Sequence, residues 1–250
     1  MDKTKLKIQL LGHKGMLGHM VHKYLLGEGY KVTTTERRFP DKEFKTVIKE
    51  SSADVLINCI GAIPQRTTDF NINWELPIWL DTHYGGKIIH PGTDCEMDDD
   101  DYGTSKRRAA SYILEDGKRT KILKASIIGP ELKTNVSLLE WFLSRDGEIY
   151  GYTQAIWNGV TTLEWAKQCE ILIKSWKSSP MLTVLSSDKN SKYELLKILQ
   201  ECYQKEDVSI LPKELGKDKT LQGSIRVQDI KDQIQELIDY EKESNTRRTR

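Results

Sequence analysis

Apolar positions recur along this chain in short blocks separated by stretches with helical spacing. Lys5–Leu11 is a short apolar strand, and Met16–Leu26 carries helical spacing at Met16, Met20 and Tyr24. Gly27 and Gly29 punctuate the end of that helix, and the β-branched run Tyr30–Thr35 reads as a second strand. A helix over Lys42–Lys49 leads to a strand at Asp54–Ile60, whose VLINCI run is apolar almost throughout. Near-continuous apolar strands suit a parallel sheet covered by helices on both faces. Next come a helix over Asn71–Thr82, bent or interrupted at Pro77, and a strand at Lys87–His90. A helix at Tyr102–Leu114 and a strand at Lys121–Ile128 complete the series. Strands alternating with helices predict βαβ units, hence an α/β fold with a doubly wound parallel sheet of Rossmann type.

After Gly129-Pro130 the alternation fades. Ser137–Leu143, Thr162–Trp176 and Ser191–Tyr203 have helical spacing, and Met181–Leu185 reads as a strand. This predicts one domain over residues 1–130 and a smaller C-terminal α/β lobe over residues 131–240, interwoven with it. Residues 241–250 are charged, lack apolar spacing and are expected to form a frayed tail.

Composition narrows the picture mainly by exclusion. Of 250 residues, 38% are hydrophobic and 30% charged, and the formal net charge of +1 leaves no excess to draw the chain onto nucleic acid or a membrane. The Lys/Arg-containing end has Glu241 and Glu243 just upstream and makes a poor nucleic-acid case. No apolar run approaches the roughly 20 residues that span a bilayer, and the N-terminus lacks a signal-peptide pattern. Cys59, Cys95, Cys169 and Cys202 show no metal-ligand spacing, and His19 and His22 lack a third ligand, so no metal site is expected. A cytoplasmic protein with reduced thiols is the expectation. The acidic run Asp98–Asp101 reads as a solvated loop.

The strongest chemical signal is the loop Gly12-His13-Lys14-Gly15-Met16-Leu17-Gly18, set between an apolar strand and an amphipathic helix. In that setting the first glycine permits a tight turn, the second lets pyrophosphate approach backbone N–H groups, and the third allows close helix–strand packing. The helix N-terminus adds a favourable field for phosphate. The whole loop is therefore assigned to a nicotinamide dinucleotide, with His13 either contacting phosphate or facing solvent. At the end of the second strand Glu36 suits the ribose hydroxyls of NAD, whereas Arg37 and Arg38 suit the 2′-phosphate of NADP. The net positive charge there favours NADP(H), with NAD(H) the alternative.

Tyr102-Gly103-Thr104-Ser105-Lys106 sets a phenol and an ammonium one helical turn apart. A nearby ammonium stabilises phenolate, so the expected phenol pKa is lowered, giving a general acid near neutral pH. Tyr193 and Lys197 repeat the spacing without the strand context. Gly92-Thr93-Asp94 ends the preceding strand, where ligands sit in open α/β sheets, and Thr93 is placed to hydrogen-bond the oxygen that Tyr102 protonates.

These residues together resemble an extended short-chain dehydrogenase/reductase, most closely the dTDP-4-dehydrorhamnose reductase group of sugar-nucleotide enzymes. The likeness also takes in Asp54–Gly61, Gly92–Cys95, Ser126–Gly129, Ser137–Phe142 and Gly151–Thr162, and so covers most of residues 5–200. It implies a Thr93/Tyr102/Lys106 catalytic triad, with Lys106 also holding the nicotinamide ribose and Asn58, Cys59, Ile60 and Gly61 lining the cofactor. It further implies that Trp157 and Asn158 face a nucleotide-sugar, whose ketone, commonly at C4 of a 4-keto-6-deoxy sugar, is reduced in deoxysugar biosynthesis. A homodimer is the default assembly. The chain departs from the group in three places. Only eight residues, mostly acidic, separate Thr93 from Tyr102; Gly92 stands where serine is usual; and Lys124 stands where arginine is common. Two alternatives therefore stay open: a nucleotide-sugar epimerase or dehydratase of the same superfamily, and a non-catalytic dinucleotide-binding regulatory protein.

Overall fold

The structure is a computed structural model that describes residues 6–248, with side chains through residue 244. The chain divides into two compact units. The first takes the chain through Ala125 and again over Ala166–Val184; the second takes Ser126–Trp165 and the chain from Leu185 onward.

The first unit opens with β1 (Lys7–Leu11), α1 (Met16–Gly27), β2 (Lys31–Thr34), α2 (Lys42–Lys49) and β3 (Val55–Asn58). It continues through α3 (Ile72–His83), β4 (Lys87–Gly92), a 3-10 turn at Asp94–Met97, α4 (Asp101–Glu115) and β5 (Thr120–Lys124). The second unit supplies β6 (Ile127–Ile128), α5 (Leu138–Leu143), β7 (Gly147–Tyr152), β8 (Ile156–Trp157) and β9 (Val160–Thr161). The chain then runs through α6 (Thr162–Lys174) and β10 (Leu182–Ser186). It finishes with β11 (Asn190–Ser191), α7 (Lys192–Cys202), β12 (Val208–Lys213), β13 (Ile225–Arg226) and α8 (Ile230–Arg248).

The principal sheet has seven strands in the order β13-β10-β5-β4-β3-β1-β2, all paired in parallel. It is the doubly wound α/β sheet expected. Strand order reverses between β1 and β3, where Leu10 pairs with Ile57 and Leu11 with Asn58. Ligands of such sheets bind outside the carboxyl ends of the strands at this reversal. The four residues of β3 are all buried, because helices cover both faces and leave no position for a polar residue to reach water. One such layer joins Phe44 and Ile48 of α2 and Leu76 and Leu80 of α3 to Leu11, Leu56 and Ile88 of the sheet.

Three elements differ from the sequence expectation. The run Lys121–Ile128 is two strands, because the ladder of β5 ends as Ala125 N–H donates to Gly92 O, after which β6 pairs with β9. In the second unit β7 and β12 form a parallel two-stranded sheet, Gly147 opposite Val208 through Tyr152 opposite Lys213. Helix α8 continues past Glu241 to Arg248, where a frayed tail was expected. Buried Ile230, Ile234, Leu237 and Ile238 anchor its start, and each residue added to an existing helix gains a hydrogen bond without a new nucleation cost. Among the described residues no helix is long and apolar enough to cross a membrane.

Candidate active site

The glycine loop lies between the end of β1 and the start of α1. Gly12 has φ +74°, and a Cβ there would sit 2.6 Å from the Cys59 carbonyl oxygen, so the turn needs glycine on both counts. Gly15 N–H donates to Gly12 O at 2.9 Å and Gly15 is the N-cap of α1, with no side-chain cap on the amides of the first turn. A Cβ on Gly18 would strike the Gly12 carbonyl, which is how closely α1 packs on the loop. Those amides and the close helix packing fit a dinucleotide pyrophosphate. His13 is half-buried, its ring edge-on to His22 with centroids 5.9 Å apart. Met16 is half-buried and Leu17 buried, so Leu17 offers a ligand only its backbone.

Beyond β2, Glu36, Arg37 and Arg38 are exposed. Lys14 reaches across from the glycine loop to pair with Glu36 at 2.5 Å, and Arg37 lies 3.5 Å from Glu43. Glu36 is thus partly neutralised by Lys14, while Arg38 adds positive charge beside it.

At the end of β3, Asn58 is fully buried; its amide donates to His90 Nδ1 at 3.3 Å and its Oδ1 accepts from Ile60 N–H at 3.1 Å. Burial and the neighbouring Lys106 hold His90 well below its ordinary pKa, so it stays neutral and able to accept that hydrogen bond. Ile60 is half-buried against the α2–α3 core, and Gly61 is exposed. Cys59, within electrostatic reach of Lys106, is pushed up to about 12 by burial, which leaves a thiol rather than a nucleophile.

Helix α4 begins on an N-cap from Asp100, whose carboxylate accepts from Gly103 N–H at 2.6 Å. It carries Tyr102 and, one turn on, Lys106, which is 8% exposed. The Lys106 ammonium makes no hydrogen bond or ion pair among the described residues. Burial lowers its pKa against the opposing pull of Glu96, Cys95 and Cys59. The Tyr102 ring meets Phe70 edge-on at 5.5 Å. Its pKa is raised, not lowered as the Tyr-x-x-x-Lys spacing predicts, first by burial and then by Cys95, Asp94, Asp100 and Glu96. The spacing reports the one cation on the helix face; the fold adds the carboxylates around it.

In the acidic run Asp98–Asp101, Asp99, Asp100 and Asp101 are exposed as expected and Asp98 is buried. Asp94 and Glu96 lie just before it on the 3-10 turn, which is closed by a capping box: Thr93 N–H donates to Glu96 Oε1 at 2.9 Å, and Cys95 N–H donates to the Thr93 hydroxyl at 3.3 Å. Asp94, Glu96 and Asp98 are buried, whereas Asp99 projects into solvent. The Thr93 hydroxyl also donates to Asp94 at 3.0 Å, so its proton is already engaged. Glu96 Oε2 accepts from Lys124 at 2.6 Å with both side chains largely buried.

Sequence reasoning passed over Asn73, Ser105 and the Glu96–Lys124 pair. Buried Asn73 holds both the N–H and the carbonyl of Ala62, at 2.7 and 3.1 Å, and donates to Ser105 Oγ at 3.1 Å, tying the loop after β3 to α4. A buried asparagine leaves no pattern in one sequence, whereas Thr93-x-x-Glu96 is a legible capping signature. Trp157 and Asn158 lie in the second unit with their polar groups committed there. Trp157 donates to Ser126 Oγ at 2.6 Å, and Asn158 both donates to Leu221 O at 2.8 Å and accepts from Leu221 N–H at 2.9 Å.

Glycine loop, strand reversal and α4 belong to a doubly wound α/β fold of Rossmann type. No protein-family profile matches the chain, and no curated protein matches it by sequence. Solved structures do. A dTDP-4-dehydrorhamnose reductase from Clostridium acetobutylicum is 17% identical with TM-score 0.74, covering 95% of this chain and 100% of its own. The Bacillus anthracis dTDP-4-dehydrorhamnose reductase in complex with NADP is 15% identical with TM-score 0.72, covering 94% and 99%. A UDP-glucose 4-epimerase from Thermotoga maritima is 14% identical with TM-score 0.70, covering 96% and 99%. At these identities the likeness establishes the fold shared with enzymes that modify nucleotide-sugars.

Proposed function

We propose that this protein is an NAD(P)H-dependent reductase of a 4-keto-6-deoxy nucleotide-sugar, with NADP(H) preferred. The observation that carries the proposal is Lys106: a buried ammonium with no hydrogen bond or ion pair among the described residues, one helical turn from Tyr102 and within electrostatic reach of Cys59 after β3. Burying a charge without a partner is costly, and ribose hydroxyls are the partner this position suits. The residues fit a dinucleotide: the α1 amides and Gly12–Gly18 for pyrophosphate, Arg37 and Arg38 for a 2′-phosphate, Lys106 for the nicotinamide ribose. A reduced nicotinamide, when bound, supplies hydride to the ketone carbon. Tyr102 then gives its proton to the developing alkoxide, which is more basic than even this raised phenol, so the transfer runs downhill. The raised pKa keeps Tyr102 protonated through neutral and mildly alkaline pH. Lys106 favours the resulting phenolate. Burial shields Lys106 from water and strengthens its electrostatic interactions.

The test is oxidation of NADPH and NADH by the purified, folded protein with a panel of 4-keto-6-deoxy nucleotide-sugars. Turnover supports the proposal, and none with any member of the panel defeats it. The engaged Thr93 hydroxyl favours a second reading, a dinucleotide-binding protein without catalysis. That reading predicts cofactor binding with no turnover.

A further inference from the structure

A parallel sheet has two ends, and the glycine loop occupies only the end where the strands finish. At the other end the segments 51–54, 85–87 and 117–121 lead into β3, β4 and β5, and Trp176 follows α6. With neighbouring residues of the first unit they line an open cleft of about 670 Å³, a size that suits a small ligand. Its charge is one-sided. Lys87, Lys118, Arg119 and Lys121 line it against a single carboxylate, Asp54, which accepts from Lys7 N–H at 2.9 Å. Buried Asp81, close by, spends its carboxylate on Lys118 N–H, Arg119 N–H and the Thr120 hydroxyl.

These cations are gathered around one ring. Lys121 Nζ lies 4.9 Å and Lys87 Nζ 5.5 Å from the centre of Trp176. Lys121 is also fixed in place, since it donates to Trp176 O at 2.5 Å and to Ser179 O. Burial and then the neighbouring Lys87 lower its pKa, so the two ammoniums repel. The Lys87 and Lys118 side chains make no hydrogen bond or ion pair among the described residues. Arg119 gives one N–H to Asp81 O at 3.4 Å, which leaves further donors on its guanidinium. A cleft walled by one sign of charge concentrates the opposite ion. Cations arriving from two adjacent strands, one a guanidinium able to grip phosphate oxygens in pairs, suit an anion with several oxygens and more than one charge.

We propose that this cleft binds a diphosphate, free or carried by a nucleotide, with Lys87, Lys118 and Arg119 as its ligands and Lys121 and Trp176 as a fixed wall. All the strands run parallel, so the cleft lies at the opposite edge of the sheet from Gly12–Gly18. The site therefore does not depend on the dinucleotide reading.

The test is calorimetric titration of the full chain with sodium pyrophosphate and with UDP, at constant ionic strength because salt screens such pairing. Each titration is repeated on Gly15→Ala, which impairs the glycine loop, and on Lys87→Gln/Lys118→Gln, which removes two cations. For each ligand, only binding that the lysine variant weakens belongs to the cleft. Pyrophosphate binding that survives in Gly15→Ala and weakens at least about ten-fold in Lys87→Gln/Lys118→Gln is expected. The Trp176 indole NMR resonance, assigned by its loss in Trp176→Phe, should shift with the same midpoint. Should the lysine variant unfold, Lys118→Gln/Arg119→Gln carries the same test at two exposed positions. Tighter cleft binding of UDP than of pyrophosphate would assign a nucleotide, and equal binding the free anion. Sulfate binding as tightly as pyrophosphate, pyrophosphate binding lost in Gly15→Ala but kept in the lysine variant, or no binding at millimolar pyrophosphate would overturn the proposal.

Discussion

Gly18 and Gly15 sit three residues apart in one loop, yet alanine at each has a different consequence. A Cβ at Gly18 lies 2.7 Å from the Gly12 carbonyl carbon, closer still to its oxygen, and 3.1 Å from His13 N. All three are backbone atoms, so no rotamer change relieves the contact and α1 must move off the loop. Overpacking of this kind costs about 3 kcal/mol at the upper end of its usual range. Alanine returns about 1 kcal/mol of helix propensity, for a net loss of about 2 kcal/mol and a melting temperature lower by about 4–8 °C. At Gly15 the nearest atom to a Cβ is Gly12 O at 3.4 Å, an ordinary contact, and φ is −83°. Alanine there loses about 1 kcal/mol or less as a poorer N-cap, but its methyl stands over the amides that a phosphate must approach. Each hydrogen bond to a charged group is worth about 1.5–3 kcal/mol, so both variants should bind dinucleotide at least about ten-fold more weakly. Differential scanning fluorimetry and a fluorescence titration with NADPH read the two effects separately. Gly18→Ala melting and binding like wild type would refute the packing argument, and Gly15→Ala binding like wild type would refute the phosphate assignment.

Tyr102→Phe should lower kcat about 10²–10⁴-fold while NADPH affinity stays unchanged; equal turnover would remove Tyr102 as the acid. Replacing Arg37 and Arg38 together by alanine should weaken NADPH about ten- to hundred-fold and leave NADH nearly untouched, and a parallel loss of both would show that these arginines do not read the 2′-phosphate. Asp81, buried at the end of α3, accepts from Lys118 N–H, Arg119 N–H and the Thr120 hydroxyl at 3.0, 3.0 and 2.7 Å. Burial pushes its pKa up, but these hydrogen bonds outweigh burial and hold it lowered. Its stabilisation is therefore present above the ordinary carboxylate pKa and fades as pH falls through the lowered folded value. Asp81→Ala should cost about 3 kcal/mol at neutral pH, with the gap to wild type closing in acid. A gap independent of pH in urea melts would contradict this account.

The local pattern carried much of the fold. Apolar runs such as VLIN, glycines placed between strand and helix, and helices such as Lys42–Lys49 are legible because period, turn chemistry and propensity are properties of neighbouring residues. The glycine loop belongs to this class, and Gly12 and Gly18 meet in the structure the steric demands that their spacing implies. What the sequence could not determine depends on residues distant in the chain. Whether Ile127 continues β5 or pairs with Val160 is decided by the partner available after Ala125. Asn73 binds Ala62 and Ser105 because three segments converge. The Tyr102–Lys106 spacing announced one cation beside a phenol and nothing of the burial, or of Asp94, Glu96 and Asp100 in the segment before α4, that raise its pKa. Electrostatic environment sums over everything nearby, and proximity in space is what a one-dimensional pattern does not record; tertiary structure alone set the sign of the Tyr102 shift.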